Sequence, residues 1–214
     1  MLKLISYFRT IKKSYQSKFS GKITVSYSKG KKKLLSKNTV YSFGELEALL
    51  SIGLQRLPNH NYESILVLGL GAGSVIPKLR RSKSTQITGV ELDPVIIQIA
   101  IEEFKMNQFE ALNIVQADAF NFVEQLADNN AQYDLVIIDL FINKQLADGC
   151  LEQDFWLKLH QLLKPEAQVL FNAGVLENDL RLAQKRFNSL KDRFQVKHYE
   201  KVMQQNDLYI LEKK

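Results

Sequence analysis

From residue 64 onward, the chain repeats one pattern, in which a short continuous apolar run is followed by a segment long enough for a helix. The apolar runs are 65–68, 87–90, 112–115, 135–138 and 169–171. The helix-length segments are 74–83, 94–106, 119–128, 151–163 and 176–190. Strands that are apolar at consecutive positions are buried on both faces, and the helices between them supply the crossovers that parallel strands need. The pattern therefore predicts an α/β fold with a parallel sheet covered by helices on both faces.

The last two apolar stretches differ from the first five because no helix-length segment separates them. They lie at 194–198 and 208–211, and their short connection predicts an antiparallel hairpin. Added to the five parallel strands, this hairpin predicts a Rossmann-like, seven-stranded, mostly parallel sheet with an antiparallel C-terminal strand.

The first 60 residues follow other periodicities. Leu4, Phe8, Ile11 and Tyr15 form one apolar stripe that predicts an amphipathic helix over 1–16. The alternation in 22–28 predicts a strand that a polar turn at 29–33 connects to a second strand over 34–41. A capping box at Ser42 and Glu45 predicts a helix that ends near Pro58. We expect a small N-terminal region over 1–60 and a main domain over 61–214.

Charge is concentrated in this N-terminal region. Of the net charge of +6, residues 1–60 carry +10 from twelve Lys or Arg and two Glu, which leaves −4 for the remainder. Such a basic segment fits a nucleic acid or an anionic surface, although a solvated face is the favoured interpretation. The single cysteine, Cys150, excludes an internal disulfide, and no apolar stretch approaches the length of a membrane span. We expect a soluble cytoplasmic protein.

The turn after the first strand of the main domain is rich in glycine, with Gly69, Gly71 and Gly73 at alternating positions. It follows an apolar run and opens a helix, which is the context in which such a turn binds a ligand. Glu91 ends the second strand 20 residues after Gly71, the spacing that places a carboxylate on ribose hydroxyls. Asp118 closes the third strand, where a carboxylate would meet the amine of adenine.

The spacing also separates two cofactors. A dinucleotide fingerprint that starts at Gly69 needs a glycine at position 74, where this chain has Ser74. A sulfonium cofactor has no pyrophosphate to place at the helix N-terminus, and acidic groups favour its positive centre. The sequence therefore predicts S-adenosylmethionine, with NAD as the second candidate.

Four segments, 65–74, 89–94, 118–122 and 133–139, together resemble the spermidine synthase family, and in particular its methyltransferase-like branch. The similarity covers about residues 20–212. The resemblance implies a role for each matching position. Gly69, Gly71 and Gly73, with Ala72 between them, would wrap the methionine part of the cofactor. Glu91 would hold the ribose hydroxyls, and Leu92 would lie against the adenine. Asp118 and Ala119 would contact the adenine edge, and Asp139 would contact the cofactor and serve as the catalytic base.

The chain also departs from the polyamine-forming members of that family. These carry an acid inside the glycine turn, where this chain has Ala72, and a second acid at the position of Ile142. Their Tyr-His-Glu segment is absent, and the nearest stretch is 42–45. A diamine needs carboxylates at both ends of its site, because a buried ammonium without a partner is costly. We therefore expect methyl transfer to a small molecule rather than aminopropyl transfer.

Several alternatives stay open at this point. The basic N-terminal region leaves room for an RNA-directed enzyme or a non-catalytic cofactor-binding module, and the resemblance leaves room for a homodimer. Asp139 would alternatively cap a helix. The three histidines, His60, His160 and His198, have no metal-ligand spacing, so we expect no metal site.

Overall fold

The computed structural model describes residues 2–36, 40–42, 45–58, 61–79, 84–127, 131–142, 145–204 and 206–214. The backbone of Ser42 and Glu45 belongs to this set, but their side chains, on which the predicted capping box depends, are not described. Residues 80–83 and 128 of the predicted helices and His60 also lie outside it. The boundary between 1–60 and 61–214 stays a prediction.

The N-terminal region forms a helix and a four-stranded antiparallel sheet in the order β1-β2-β3-β4. Its elements are α1 (Leu2–Phe8), β1 (Ile11–Ser17), β2 (Gly21–Ser28), β3 (Lys31–Leu35) and β4 (Val40–Ser42). We call this four-stranded unit the N-terminal sheet.

Two predictions for this region were wrong. The helix predicted over 1–16 ends at Phe8, and Ile11–Ser17 is a strand paired with β2. Ile11 and Tyr15 are four residues apart, a spacing that lies on one face of a helix and of a strand alike. The predicted strand over 34–41 is two strands, and Lys31, Lys32 and Lys33 belong to β3 rather than to the turn. The helix α2 (Glu45–Gln55) lies in the segment before Pro58 where a helix was predicted.

The main sheet has the predicted seven strands among the described residues, and their order is β12-β13-β11-β8-β5-β6-β7. In chain order these are β5 (Ser64–Leu68), β6 (Gln86–Glu91), β7 (Leu112–Gln116), β8 (Tyr133–Ile138), β11 (Leu163–Gly174), β12 (Phe194–Val202) and β13 (Asn206–Lys213). The first five are parallel, and β13 pairs antiparallel with both β11 and β12. A two-stranded ribbon, β9 (Phe141–Ile142) and β10 (Gln145–Leu146), follows β8.

Helices cover both faces of this sheet. They are α3 (Ile76–Leu79), α4 (Pro94–Glu102), α5 (Ala119–Ala127), α6 (Gln153–Gln161) and α7 (Glu177–Ser189). On one face, Trp156 and Phe187 are fully buried against Phe171. On the other face, Leu50 of α2 belongs to the cluster that includes Val67. No helix within the described ranges is long and apolar enough to cross a membrane.

The strand order changes direction at β5. The chain runs from β5 outward through β6 and β7, and then returns to place β8 on the other side of β5. Open α/β sheets bind ligands at such a switch point, beyond the carboxyl ends of the strands.

The N-terminal sheet docks on the main domain through apolar and ionic contacts. Ile23, Val25 and Leu34 form one buried cluster with Ala72, Ile96 and Ile99. Beside it, Glu103 accepts hydrogen bonds from Lys13 (2.9 Å), Tyr15 (2.9 Å) and Lys32 (3.0 Å).

Candidate functional site

A cavity of about 730 Å³ lies at the carboxyl ends of β5, β6 and β8, at the switch point of the sheet. Seven of the predicted site residues line it: Gly69, Gly71, Glu91, Leu92, Asp118, Ala119 and Asp139. Leu46, Leu49 and Leu50 of α2 add an apolar wall. The structure thus brings together predicted site residues that stand up to 70 positions apart in the chain.

Gly69 allows the end of β5 to approach the end of β8. Its φ is +84°, and a Cβ at this position would lie 2.3 Å from the main-chain oxygen of Asp139. The N–H groups of Gly69 and Leu70 both donate to the Val90 carbonyl, at 3.0 and 2.9 Å. The positive φ and the close approach of the Asp139 carbonyl therefore require glycine at this position.

Glu91 lies at the end of β6, and two backbone groups hold its carboxylate. Oε2 accepts the Gly71 N–H at 2.9 Å, and Oε1 accepts the Asp93 N–H at 3.0 Å. Burial raises the pKa of Glu91, while these N–H donors oppose the increase. The carboxylate is therefore fixed in position at the cavity wall.

Ala72 and Gly73 are placed behind the turn, and neither is among the described residues that line the cavity. Ala72 is fully buried in the cluster with Ile23 and Val25 of the N-terminal sheet. A Cβ at Gly73 would lie 2.3 Å from the sulfur of Met106. Close packing thus accounts for small residues at both positions, and the predicted cofactor contacts lack support from the cavity geometry.

Asp118 has a local role as the cap of α5. Its Oδ1 accepts the N–H groups of Phe120 and Asn121, both at 3.0 Å. It also lines the cavity next to Ala119. The contact of Asp118 and Ala119 with adenine stays a prediction.

Asp139 directly follows β8 and borders the other end of the cavity. Burial raises the pKa of this carboxyl to about 6, and a hydrogen bond from Asn172 opposes the increase. That bond joins Asn172 Nδ2 to Asp139 Oδ1 at 2.8 Å. A carboxyl with a pKa near neutrality can take up and release protons under physiological conditions.

Sequence analysis missed Asn172 and Asn206, which line the cavity beside Asp139. Asn172 Oδ1 accepts hydrogen bonds from Asn206 Nδ2 at 2.9 Å and from the Gly174 N–H at 3.1 Å. Asn172 directly follows the last apolar run of the parallel strands, 169–171, and a polar amide at that strand end was the available signal. Asn206 has no such mark, because its place depends on how β13 pairs with β11.

The model of the spermine/spermidine synthase domain family matches residues 42–204, which is more than half of the chain. An eEF1A lysine and N-terminal methyltransferase homolog from Drosophila melanogaster is 26% identical over 72% of this chain and 25% of its own length. A polyamine aminopropyltransferase from Vibrio vulnificus is 27% identical over 53% of this chain and 38% of its own length. The chain spans only 19–25% of the length of the insect and frog methyltransferase relatives that it matches.

Solved structures agree on the fold. Human methyltransferase-like protein 13 in complex with SAH superposes with a TM-score of 0.63 at 24% identity, covering 80% of this chain and 83% of that one. Spermidine synthase from Thermotoga maritima superposes with a TM-score of 0.72 at 16% identity, covering 96% and 73%. These likenesses confirm the Rossmann-like fold, and the domain match confirms the resemblance seen in the four sequence segments. The chain belongs to the spermine/spermidine synthase family.

Proposed function

We propose that the chain is an S-adenosylmethionine-dependent methyltransferase that holds its cofactor in the cavity at the switch point. The observation that carries the proposal is Glu91, a half-buried carboxylate fixed at the cavity wall by the N–H groups of Gly71 and Asp93. A buried carboxylate costs free energy unless hydrogen-bond donors reach its lone pairs. Each oxygen of the Glu91 carboxylate has a second lone pair. The two hydroxyl groups of the cofactor's ribose would donate hydrogen bonds to these lone pairs.

The charge of the cavity favours a sulfonium cofactor over a dinucleotide. Three of its predicted lining residues, Glu91, Asp118 and Asp139, are acidic. No Lys, Arg or His is among the cavity-lining residues that the structure describes. A pyrophosphate would be repelled by such a wall, whereas a sulfonium charge is attracted to it. This argument ranks S-adenosylmethionine above NAD.

Bound in this cavity, the cofactor supplies an electrophilic methyl group on sulfur. The contribution of the protein is to align a nucleophile and to remove its proton where it carries one. Asp139 suits this task, because burial raises its pKa to about 6. Asn172 occupies Oδ1, so we assign Oδ2 as the atom that accepts the proton.

The acceptor that we propose is an amine. The relatives from Drosophila and Xenopus are named for lysine and N-terminal methylation of a protein, so they do not support the small-molecule acceptor that we expected. An ammonium group needs a carboxylate both to bind it and to take its proton, and Asp139 provides one.

Aminopropyl transfer is the second candidate, favoured by the domain match and by the Vibrio relative. Two positions argue against it. Ala72, where polyamine-forming members carry an acid, is fully buried against the N-terminal sheet, and Ile142 has 58% of its surface exposed. The cavity therefore lacks two of the acidic groups that a diamine would use.

Calorimetric titration tests the cofactor assignment. We expect S-adenosylmethionine and S-adenosylhomocysteine to bind the wild-type chain with about micromolar affinity, and NAD not to bind. Glu91→Ala and the isosteric Glu91→Gln should each weaken binding about 100-fold, because both remove a charged acceptor. Glu110→Ala removes an exposed carboxylate and serves as the matched control. Binding of NAD in place of S-adenosylmethionine would overturn the proposal.

A second experiment separates the two transfer reactions. The chain is incubated with radiolabelled S-adenosylmethionine and candidate protein amines, or with decarboxylated S-adenosylmethionine and putrescine. We expect label on the protein amine and no spermidine. Spermidine formation would instead identify an aminopropyltransferase.

A further inference from the structure

The turn between β1 and β2, residues 18–20, carries an aromatic side chain that the fold does not use. Phe19 has 55% of its surface exposed. Phe19 and Ser20 nevertheless line the same cavity as Glu91 and Leu92. The N-terminal sheet therefore contributes an unburied phenyl ring to the wall of the proposed cofactor site.

The conformation of this turn is fixed without help from the phenyl ring. Ser17, at the end of β1, is 4% exposed, and its Oγ accepts the N–H groups of Phe19 (2.9 Å) and Ser20 (3.1 Å). Ser17 is paired across the strands with Gly21, whose φ is +66°. These bonds hold Phe19 on a rigid support, so its exposure is not the result of a loose loop.

The turn is also tied to the carboxylate that we assign to the cofactor. Asp93 Oδ2 accepts hydrogen bonds from the hydroxyls of Ser17 and Ser20, and the Ser20 bond measures 2.8 Å. The other oxygen, Oδ1, accepts the Val95 N–H at 2.9 Å and caps α4. The main-chain N–H of Asp93 donates to Glu91 Oε1 at 3.0 Å. Asp93 is 2% exposed, and its hydrogen bonds connect the turn to Glu91.

Leu92 lies between these two acids and has 40% of its surface exposed. Phe19 and Leu92 are therefore two exposed apolar side chains that border one cavity and are linked through Asp93. A planar base bound in this part of the cavity would remove apolar surface of both from water. Stacking of a base on an aromatic side chain adds about 1–3 kcal/mol.

We propose that Phe19 is a cofactor-binding residue that covers the nucleoside part of S-adenosylmethionine, and that Ser17 and Ser20 position it through Asp93. The proposal rests on the proposed function, because it takes the ligand of the cavity to be an adenosyl compound. It adds a contribution of the N-terminal sheet to the wall of that cavity.

Titrations with S-adenosylmethionine and with 5′-methylthioadenosine test the proposal. The second ligand has the nucleoside but lacks the amino-acid part. We expect Phe19→Ala to weaken both about 5- to 150-fold, which is the stacking contribution expressed as affinity. Phe19→Tyr should restore the affinity, because it keeps the ring. Phe8→Ala is the matched control, since Phe8 is 92% exposed on α1 and is not among the cavity-lining residues described.

Ser20→Ala tests the positioning role, because it removes one hydrogen bond to Asp93 and does not change the Phe19 side chain itself. We expect Ser20→Ala to weaken the binding of both ligands about 5-fold. The melting temperatures of Phe19→Ala and of the Phe8→Ala control should equal that of the wild type. If wild type binds no adenosyl compound, the proposed function fails. Suppose that the wild type binds S-adenosylmethionine and that Phe19→Ala binds it equally well, or that Phe19→Ala leaves only the affinity for methylthioadenosine unchanged. Either result would refute the role of Phe19, while the proposed function would stand.

Discussion

The two ends of strand β8 carry the same residue type in opposite environments. Asp134, near its start, accepts the N–H groups of Glu63 and Ser64, both at 2.8 Å, and pairs with Lys164 at 2.9 Å. Burial alone would raise the pKa of Asp134, but Lys164 and the two N–H donors lower it. Asp139, just after the strand, has the Asn172 amide as its hydrogen-bond donor, and burial raises its pKa to about 6.

This difference indicates that carboxylates at the amino ends and at the carboxyl ends of the parallel strands have different roles. At the amino edge, the charge of Asp134 is balanced by groups of the protein itself, so it stabilises the fold. At the carboxyl edge, Glu91 and Asp139 both have raised pKa values and both border the cavity. Carboxylates that the protein compensates poorly are characteristic of functional sites, where a ligand completes their environment. The carboxyl edge therefore gives up stability to keep charged groups ready for binding.

The largest effect that we expect comes from Gly69, which sets how closely the carboxyl edge is packed. Gly69→Ala should lower the free energy of unfolding by about 3 kcal/mol or more, because it adds a left-handed alanine and a collision with the Asp139 carbonyl. Gly21→Ala is the control, since its φ is +66° but nothing lies within 4 Å of the added Cβ. It should cost about 1 kcal/mol. If urea unfolding gave the same loss of unfolding free energy for Gly69→Ala and Gly21→Ala, the carboxyl edge would not be closely packed at Gly69.

The second prediction concerns the poorly compensated charge of Asp139. Its pKa is about 6 in the folded protein against an ordinary 3.8, so the protonated form is favoured and stability falls as the pH rises through this range. Asp139→Asn removes the free-energy cost of ionising this carboxyl in the folded protein, and it keeps an acceptor for Asn172. At pH 8 the variant should be up to about 3 kcal/mol more stable than wild type, and at pH 4 equally stable. Chemical unfolding at both pH values measures this, and a variant destabilised at pH 8 would contradict it.

Asp134→Asn is the matched change at the other end of β8, and we expect the opposite sign. The lowered pKa of Asp134 means that its contribution is present above the ordinary pKa of an aspartate and is lost as the pH falls through the folded value. At pH 7 the variant should lose about 1 kcal/mol, because the N–H groups of Glu63 and Ser64 and the Lys164 amine lose a charged acceptor. The loss should shrink at acid pH. A stabilised Asp134→Asn would remove the contrast between the edges.

How much of the fold and of the candidate site could be predicted from the sequence depends on how far apart in the chain the interacting residues lie. The strands of the main sheet were predicted because burial on both faces leaves consecutive apolar residues, as at 135–138. Glu91 was found because its distance from the glycine turn is set by one β-α-β unit. Both signals are local, or span a single unit of structure.

What the sequence did not reveal depends on which distant segments meet. Ile11 and Tyr15 fit a helix and a strand equally, and pairing with β2 decides between them. Phe19 reaches the cavity because the N-terminal sheet docks on α4, and Asn206 reaches it because β13 pairs with β11. Ala72 was assigned to the cofactor by its place in the turn, but the docked sheet buries it.

The smallest effect that we expect concerns Glu103, a carboxylate outside the carboxyl edge that the protein compensates fully. Burial alone would raise the pKa of Glu103, but hydrogen bonds from Lys13, Lys32 and Tyr15 lower it to about 2. Its stabilising contribution is therefore present above the ordinary value of 4.5 and is lost as the pH falls toward 2. At pH 7, Glu103→Gln should cost about 0.5 kcal/mol, and less in high salt, because the charges are partly exposed.

Because these donors come from the N-terminal sheet, the Glu103 variant also tests whether docking of that sheet affects the cavity. Loosened docking should weaken S-adenosylmethionine binding modestly, since Phe19 and Ser20 belong to the same sheet. Glu102→Gln is the control, as its contact with Lys13 is 3.9 Å long. If Glu103→Gln lowers the unfolding free energy at pH 7 but leaves binding unchanged, a compensated carboxylate acts on the fold alone. That outcome would support the distinction between charges that stabilise the fold and charges that serve the cavity, which the comparison of Asp134 with Asp139 introduced.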